Sequence, residues 1–228
     1  MEHLRAHEHR TRDDRRSRLQ SARLYLICGE QDNRFLEAAM RGGIDIVQLR
    51  LKCATDREVI STSRRFARVC AAHGALFILN DRPDLVVEGQ ADGVHVGQDD
   101  IPIGQARALV GPERLVGLST HSKAQVDAAG AKDAPDYIGV GPVHETPTKP
   151  GRPAIGLDVV RYAAQRSAIP FFAIGGIDEG TVGAVVAAGA RGVAVVRALV
   201  DAADPEQVAR HLREALDRNR KAVGAAQS

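Results

Sequence analysis

The chain of 228 residues is 44% hydrophobic, 26% charged and only 4% aromatic, so it is too apolar for a disordered protein and long enough to bury a sizeable core. Its net charge of +2 gives no strong field for nucleic acid, and its three cysteines, Cys28, Cys53 and Cys70, form no C-x-x-C pair. A disulfide-stapled module, a zinc ribbon and a redox dithiol are therefore unsupported, and a reducing cytoplasm is the expected location.

The first residues differ from the rest of the chain in charge. Residues 1–21 are basic and lack the apolar centre of a secretory signal, so we interpret them as a flexible, solvated extension. A basic arm that contacts nucleic acid and an organelle transit segment are the alternatives. We expect removal of residues 1–20 to leave catalysis nearly intact, because no motif falls there. Residues 22–218 are predicted to form one catalytic domain, with residues 219–228 as a C-terminal tail. The chain has no uninterrupted apolar run of ~18 residues, so no membrane span is predicted.

From Ala22 onward, short apolar runs rich in β-formers alternate with amphipathic segments. Runs of this length are typical of parallel strands that are buried on both faces. The predicted strands are Leu24–Cys28, Asp45–Leu49, Leu76–Leu79, Gly93–Val96, Leu115–Leu118, Tyr137–Val140, Phe171–Ile174 and Gly192–Val196.

Helical patterns lie between these strands, with clear start signals. Asp32 is a good N-cap for a helix over 32–40, and Thr55 with Glu58 forms a capping-box pattern for a helix over 55–72. Later helices are predicted over 178–188 and 205–216. Eight units of about 26 residues fit the α/β class as a (β/α)₈ TIM barrel. An open doubly wound sheet is disfavoured because no G-x-G-x-x-G follows the first strand.

A basic row follows the second strand. Strand alternation puts Gln48, Arg50 and Lys52 on one side, and Lys is scarce here, with five against 26 Arg. Such a row at a barrel mouth suits an anion, with Arg as a fork and Lys as a point charge. A salt-bridged strand end is the alternative.

Carboxylates follow the third and fourth strands. Asn80 and Asp81 come directly after one strand, and Asp100 lies in the loop after the next. Carboxylates of neighbouring loops can hold one Mg²⁺ together with waters and phosphate oxygens. Alternatively, each Asp caps the helix that follows. The basic row nearby favours Mg²⁺ with a diphosphate.

The fifth and sixth strands are followed by hydroxyls and a long loop. Ser119 is interpreted as a substrate-binding hydroxyl, and His121 as a helix-start residue rather than a base. The loop after the sixth strand, rich in Gly and Pro, includes two Thr and a scarce Lys (Lys149). It is interpreted as a lid or clamp.

A second anion site is predicted after the last two strands. Gly175 and Gly176 follow the seventh strand, and Arg197 follows the eighth. In this barrel, loops seven and eight commonly bind phosphate through backbone N–H groups and a helix N-terminus. Two phosphorylated substrates meeting in one barrel is the resulting hypothesis.

In series, these motifs resemble the thiamine phosphate synthase family over about residues 22–218. Each motif alone is weak, but eight in order are specific. The matching segments are Gln48–Lys52, Asn80–Asp81, Ala91–Asp100, Gly117–His121, Asp136–Val143, Thr146–Lys149, Ala173–Ile177 and Gly192–Val196.

The resemblance implies a reaction and a set of site residues. The family joins an aminopyrimidine that carries a diphosphooxymethyl group to a thiazole phosphate, or to its carboxylated form, and expels pyrophosphate. The implied pyrimidine diphosphate contacts are Gln48, Leu49, Arg50, Leu51, Lys52, Asn80, Ser119 and Lys149. The implied thiazole phosphate contacts are Thr146, Pro147, Thr148, Gly176, Val196 and Arg197. Asp81 and Asp100 would hold one Mg²⁺, and the implied catalytic residues are Arg50, Lys52, Ser119 and Lys149.

Two departures from the family pattern concern thiazole recognition. Position 144 is His where the family typically has an aromatic residue, and position 197 is Arg where Ser is frequent.

Three other functions are less consistent with these motifs than the synthase. The nearest is a thiazole tautomerase that binds one thiazole phosphate and uses His121 or His144 as acid or base, but it needs no metal diphosphate site. A Schiff-base aldolase lacks a Lys at a strand end inside the barrel. A nucleic-acid protein lacks stacking aromatics and a basic helix. No membrane partner is expected, and a homo-oligomer is left open.

Overall fold

The structure is a computed structural model that describes residues 10–130, 134–145 and 153–225. Its centre is a closed barrel of parallel strands in sequence order, in which the first strand pairs with the last. The strands are β1 Leu24–Cys28, β2 Ile46–Leu49, β3 Leu76–Asn80, β4 Gly93–Val96, β5 Leu115–Thr120, β6 Tyr137–Val140, β7 Phe171–Ile174 and β8 Val193–Val195. The prediction of a (β/α)₈ barrel is confirmed, and every predicted strand is present.

Helices surround the barrel. They are α1 Arg12–Ser21, α2 Asn33–Arg41, α3 Asp56–Ala72, α4 Ile103–Val110, α5 Lys123–Ala128, α6 Gly156–Arg166, α7 Val182–Ala187, α8 Arg197–Val200 and α9 Pro205–Ala225, with a 3₁₀ helix at Pro83–Leu85. In the described part of the chain, none of these helices combines the length and apolarity needed to span a bilayer.

Local sequence explains where the early helices begin. The Asp32 side chain accepts a hydrogen bond from the Phe35 N–H and caps α2. The predicted capping box of α3 is present, since Thr55 accepts from the Glu58 N–H while the Glu58 carboxylate accepts from the Thr55 N–H. The helix predicted from residue 178 begins later, at Val182, because the Asp178 carboxylate holds a turn by accepting from the Gly180 and Thr181 N–H groups.

The core has an inner and an outer layer. Strand alternation sends one set of side chains outward against the helices and the other into the barrel. The inner set is Tyr25, Ile46, Leu76, Ile78, Leu115, Tyr137, Phe172 and Ala194. The barrel is therefore a packed core, and chemistry is confined to its ends.

The N-terminal segment is an ordered helix where the sequence predicted a flexible extension. Residues 12–21 form α1, which covers the N-terminal end of the barrel and buries Arg15 and Leu19. Leu19 joins the inner core layer, and Arg10 and Arg15 both pair with the buried Asp92 at 2.7 and 3.0 Å. The sequence interpretation was wrong for this segment because it counted the arginines as solvated charges and did not anticipate a buried carboxylate partner.

The C-terminal boundary also differs from the prediction. Helix α9 runs continuously from Pro205 to Ala225, so a tail that starts at residue 219 would begin inside a helix. The side chains of Ala209, Leu212 and Leu216 are buried against the barrel. The helical backbone therefore continues past the predicted boundary.

Candidate active site

A cavity of about 450 Å³ opens at the C-terminal ends of β5 to β8. In this barrel, the C-terminal ends of the strands carry the active-site loops. Its lining includes Ser119 from β5, Gly141 after β6, Gly176 after β7, and Val196 with Arg197 after β8. Four of the residues predicted from sequence (Ser119, Gly176, Val196 and Arg197) are thus brought to one space.

The turn after β7 exposes backbone to this cavity. Gly175 and Gly176 have φ of +106° and +61°, a region that favours glycine. A Cβ on Gly175 would lie 2.5 Å from Pro142, and one on Gly176 would lie 2.7 Å from the Cβ of His144. Only glycines fit this turn, and both line the cavity, so the cavity contacts backbone here.

Arg197 supplies positive charge to the same space. It is exposed, lines the cavity and starts the short helix α8. Acidic side chains are also present, since Glu145 and Asp178 line the cavity. An anion here would meet Arg197 and the glycine turn, with the carboxylates on the remaining lining.

A carboxylate pair lies at the ends of β3 and β4. Asp100 is close enough to Asp81 for the two carboxyls to share a hydrogen bond, and Asn80 also hydrogen-bonds to Asp81. Burial, followed by the charge and hydrogen bond of Asp100, raises the pKa of Asp81, while Asn80 and Arg50 act in the opposite direction. Asp81 has a φ of +60°, an unusual conformation outside glycine that is often found at functional sites.

This pair fits a hard divalent cation. Two adjacent carboxylates repel each other without a counter-ion, and their oxygens are ligands that Mg²⁺ prefers. Across the described ranges 10–130, 134–145 and 153–225, no group of three or more His, Cys, Asp or Glu could hold a metal. A cation here would therefore complete its shell from water and substrate oxygens, which is the usual arrangement for Mg²⁺.

The row after β2 divides between the core and the mouth. The side chain of Gln48 is buried and donates to the Tyr25 hydroxyl at 2.6 Å, whereas Lys52 is exposed. The side chain of Leu49 is fully buried, and that of Leu51 packs against the outer core layer between strands and helices. These two residues could therefore contact a substrate only through their backbone. Thr146, Pro147, Thr148 and Lys149 lie outside the described residues.

Strand β4 links the carboxylate pair to the cavity. The Asp81 N–H donates to the His95 carbonyl at 2.9 Å, and the His95 Nε2 lies 2.9 Å from the Ser119 Oγ. The side chain of Gln98 donates to the Ser119 carbonyl at 2.6 Å. The two predicted anion sites are thus joined through adjacent strands.

Sequence reasoning missed the polar groups beneath Ser119. Tyr25, Tyr137 and His95 face the barrel interior and are hydrogen-bonded there. Strand alternation could have placed them inward, but it does not reveal hydrogen bonds between strands that are distant in sequence. The available signal was that two of the chain's three tyrosines fall at inward strand positions, which indicates hydroxyl groups inside the barrel.

We expect Asp81→Asn to raise the melting temperature of the ligand-free protein at neutral pH. Because folding raises the pKa of Asp81, its neutral carboxyl form favours the folded state at a pH below the unfolded pKa. This contribution to stability is lost as the pH rises through the folded pKa and the group becomes charged. Replacing it with a neutral amide removes the repulsion from Asp100. Thermal melts at neutral pH and near pH 4 test this, because the gain should shrink in acid; an equal gain at both would contradict the repulsion.

A family model described as thiamine monophosphate synthase matches residues 24–199. The chain belongs to the thiamine monophosphate synthase family. Thiamine-phosphate synthase from Acidothermus cellulolyticus is 49% identical over 197 residues, which cover 84% of this chain and 93% of that protein. The thiamine phosphate pyrophosphorylase structure from Pyrococcus furiosus matches with a TM-score of 0.80 and 30% identity, over 90% of this chain and 98% of that chain.

Some members of the thiamine monophosphate synthase family are longer. Thiamine-phosphate synthase from Nostoc punctiforme is 48% identical over 199 residues, which cover 86% of this chain and 56% of that protein. The chain thus spans little more than half the length of that relative. The residues matched by the family model, 24–199, contain the barrel and both parts of the candidate active site.

Proposed function

We propose that the chain is a thiamine phosphate synthase, which joins an aminopyrimidine carrying a diphosphooxymethyl group to a thiazole phosphate and releases pyrophosphate. The observation that carries this proposal is the pairing of two different anion-binding arrangements at one barrel mouth. One is the Asp81–Asp100 pair beside Arg50, and the other is the cavity of Gly175, Gly176 and Arg197. Family membership supports the same assignment.

In this proposal the diphosphate lies over β2 to β4. Arg50 and Lys52 bind its oxygens, with Lys149 assigned the same role by the family resemblance. Asp81 and Asp100 would hold Mg²⁺, which when bound neutralises charge on the leaving diphosphate. Asn80 holds Asp81 through its hydrogen bond and so helps to orient the metal-binding carboxylate.

The thiazole phosphate occupies the part of the cavity over β7 and β8, and the pyrimidine extends to the part that Ser119 lines at the end of β5. Gly175 and Gly176 offer backbone N–H groups, and Arg197 offers a charged fork. The thiazole then lies beside the pyrimidine. In a dissociative substitution the carbon–oxygen bond to the diphosphate breaks first, the electron-rich aminopyrimidine supports the cationic methylene carbon, and the thiazole ring nitrogen then bonds to that carbon. The bonding electrons leave with the pyrophosphate oxygen, so no enzyme nucleophile is required, and positioning provides much of the rate.

The test uses the purified chain with both substrates. Formation of thiamine phosphate and pyrophosphate with Mg²⁺, and its loss with a chelator, is the expected result. The tautomerase alternative would use His121, which lines the cavity, but it has no use for the carboxylate pair. Absence of condensation together with chelator-insensitive turnover of a single thiazole phosphate would replace the synthase by the tautomerase.

We expect Arg197→Ser to raise the KM for thiazole phosphate by about tenfold and to change kcat little, because a charge–phosphate contact is lost equally in the ground and transition states. Steady-state kinetics with the pyrimidine substrate saturating measure this. Arg191→Ser is the matched control, since Arg191 is exposed just before β8, at the opposite end of the barrel. An unchanged KM would show that Arg197 does not bind the phosphate.

We further propose a cytoplasmic location for the enzyme. The three cysteines, all of which lie in the described part of the chain, are free. Cys28 is buried, and this burial raises the pKa of its thiol to about 12. Free thiols without disulfides suit a reducing compartment.

A further inference from the structure

A chain of hydrogen bonds crosses the barrel interior and ends on Ser119, which is half-buried. The Gln48 Nε2 donates to the Tyr25 hydroxyl at 2.6 Å, and this hydroxyl lies 2.9 Å from that of Tyr137. The Tyr137 hydroxyl lies 3.2 Å from the His95 Nδ1, and the His95 Nε2 lies 2.9 Å from the Ser119 Oγ. We call these five residues the relay.

The surrounding core holds the relay in place. A Cβ on Gly117 would lie 2.2 Å from the Tyr137 ring and 2.6 Å from the His95 Nδ1, so the glycine leaves the space that both rings fill. Phe172 packs edge-on against both tyrosines, with ring centroids at 5.3 Å from Tyr25 and 5.8 Å from Tyr137. Tyr25 and Tyr137 are at most 2% exposed, so water does not compete for their hydroxyls.

The chemistry of the Gln48 end sets the direction of the protons. An amide nitrogen only donates, so the Tyr25 hydroxyl accepts from Gln48. The hydrogen of the Tyr25 hydroxyl then has the Tyr137 oxygen as its acceptor, and Tyr25 donates to Tyr137. Burial raises the pKa of both phenols, so each keeps its one proton at neutral pH. Tyr137 then donates to the His95 Nδ1, and a neutral imidazole with this acceptor carries its proton on Nε2.

We infer that the relay fixes His95 as the Nε2–H tautomer and makes the Ser119 hydroxyl a hydrogen-bond donor to the substrate. Ser119 accepts from His95, so its own proton is directed away from the imidazole and into the cavity that Ser119 lines. Gln48, Tyr25, Tyr137 and His95 are positioning residues that act through Ser119. With its Nε2 protonated, His95 does not take the Ser119 proton, so the pair is not a nucleophile with its base.

The partner of Ser119 must be an acceptor, and naming it rests on the proposed function. In the pyrimidine substrate, the acceptors are the ring nitrogens and the diphosphate oxygens. A donor at this position binds either group without supplying a covalent step. The donor role thus excludes a substrate amino group as the acceptor of this hydrogen bond.

The first test measures the tautomer of His95 in the ligand-free protein. The chain has eight histidines, and the signal of His95 in a ¹⁵N-histidine NMR spectrum is assigned by its loss in His95→Gln. The expected result at neutral pH is protonation at Nε2 alone. Protonation at Nδ1, or a charged ring, would overturn the relay direction. This measurement needs neither substrate nor activity.

The second test is a double-mutant cycle on kcat/KM for the pyrimidine substrate. We expect Ser119→Ala to lower kcat/KM at least about tenfold and Tyr137→Phe to lower it less, since only the orientation of the donor is lost. In the Ser119→Ala background, Tyr137→Phe should have no further effect, because it acts through Ser119. Equal losses in both backgrounds would mean a merely structural role and would overturn the proposal.

Control variants separate the relay from general effects. Tyr162→Phe also removes a tyrosine hydroxyl, one that donates to Asp127 on the surface, and it should leave kcat/KM unchanged. If Tyr137→Phe fails to fold, Tyr25→Phe replaces it in the same cycle. A wild-type chain that makes no thiamine phosphate would refute the proposed function, whereas the tautomer would still decide the relay.

Discussion

Asp81→Asn is expected to lower Mg²⁺-dependent turnover by about three orders of magnitude, or about 4 kcal/mol in transition-state stabilisation, while the fold survives. An amide does not replace a carboxylate as a Mg²⁺ ligand, so charge on the leaving diphosphate loses its neutralising cation. Asn is preferred to Ala because residue 81 has a φ of +60°, which Asn tolerates and Ala resists. A loss of activity with Ala would mix metal binding with backbone strain.

The measurement combines turnover over a range of Mg²⁺ concentrations with a thermal melt for each variant. Asp99→Asn is the matched control, because Asp99 is an exposed carboxylate in the same loop as Asp100 and is not assigned to the metal. It should retain nearly wild-type turnover. If a chelator and Asp81→Asn both left turnover unchanged, the metal site and the synthase mechanism would be refuted together.

Strand and cap positions were predictable because they depend on local sequence. Buried parallel strands are continuous apolar runs, and the capping pattern of Thr55 and Glu58 requires residues that are only three apart. Asp81 and Asp100 were also predictable as neighbours, because adjacent strands of a barrel end at the same rim. In each case, the deciding contacts are local or follow from strand order.

The remaining features depend on contacts between distant segments. Gln48 belongs to a basic row in sequence, yet its amide donates to Tyr25 inside the barrel, a contact between two strands that alternation alone does not specify. In the same way, Arg15 pairs with Asp92, a residue 77 positions away. A charged residue is by default predicted to be exposed to solvent, and only the folded structure shows that it has a buried partner of opposite charge.

Removal of residues 1–21 is expected to lower the free energy of unfolding by about 3–5 kcal/mol, the range for breaking a buried ion pair by removing one partner. Asp92 is fully buried and accepts hydrogen bonds from Arg10, Arg15 and the Phe77 N–H. Without residues 1–21 the first two donors disappear, and the inner core also loses Leu19. For a chain of this size the melting temperature should fall by about 10 °C or more.

A smaller change isolates the charge from the loss of the helix. Arg15→Met keeps α1 and most of the buried side-chain volume but removes one partner of Asp92, so it should lower the free energy of unfolding. Arg12→Met, at an exposed position of the same helix, should not.

Adding Asp92→Asn to Arg15→Met should recover part of the lost stability, because an amide oxygen can still accept from the Phe77 N–H without leaving an underpaired buried charge. Denaturant unfolding of these three variants and the wild type gives these differences. Asp92 precedes β4 at the end of the barrel opposite the candidate active site, so kcat of the folded molecules at low temperature should be retained. Equal stability of Arg15→Met and the wild type would show that the buried pair does not stabilise the fold.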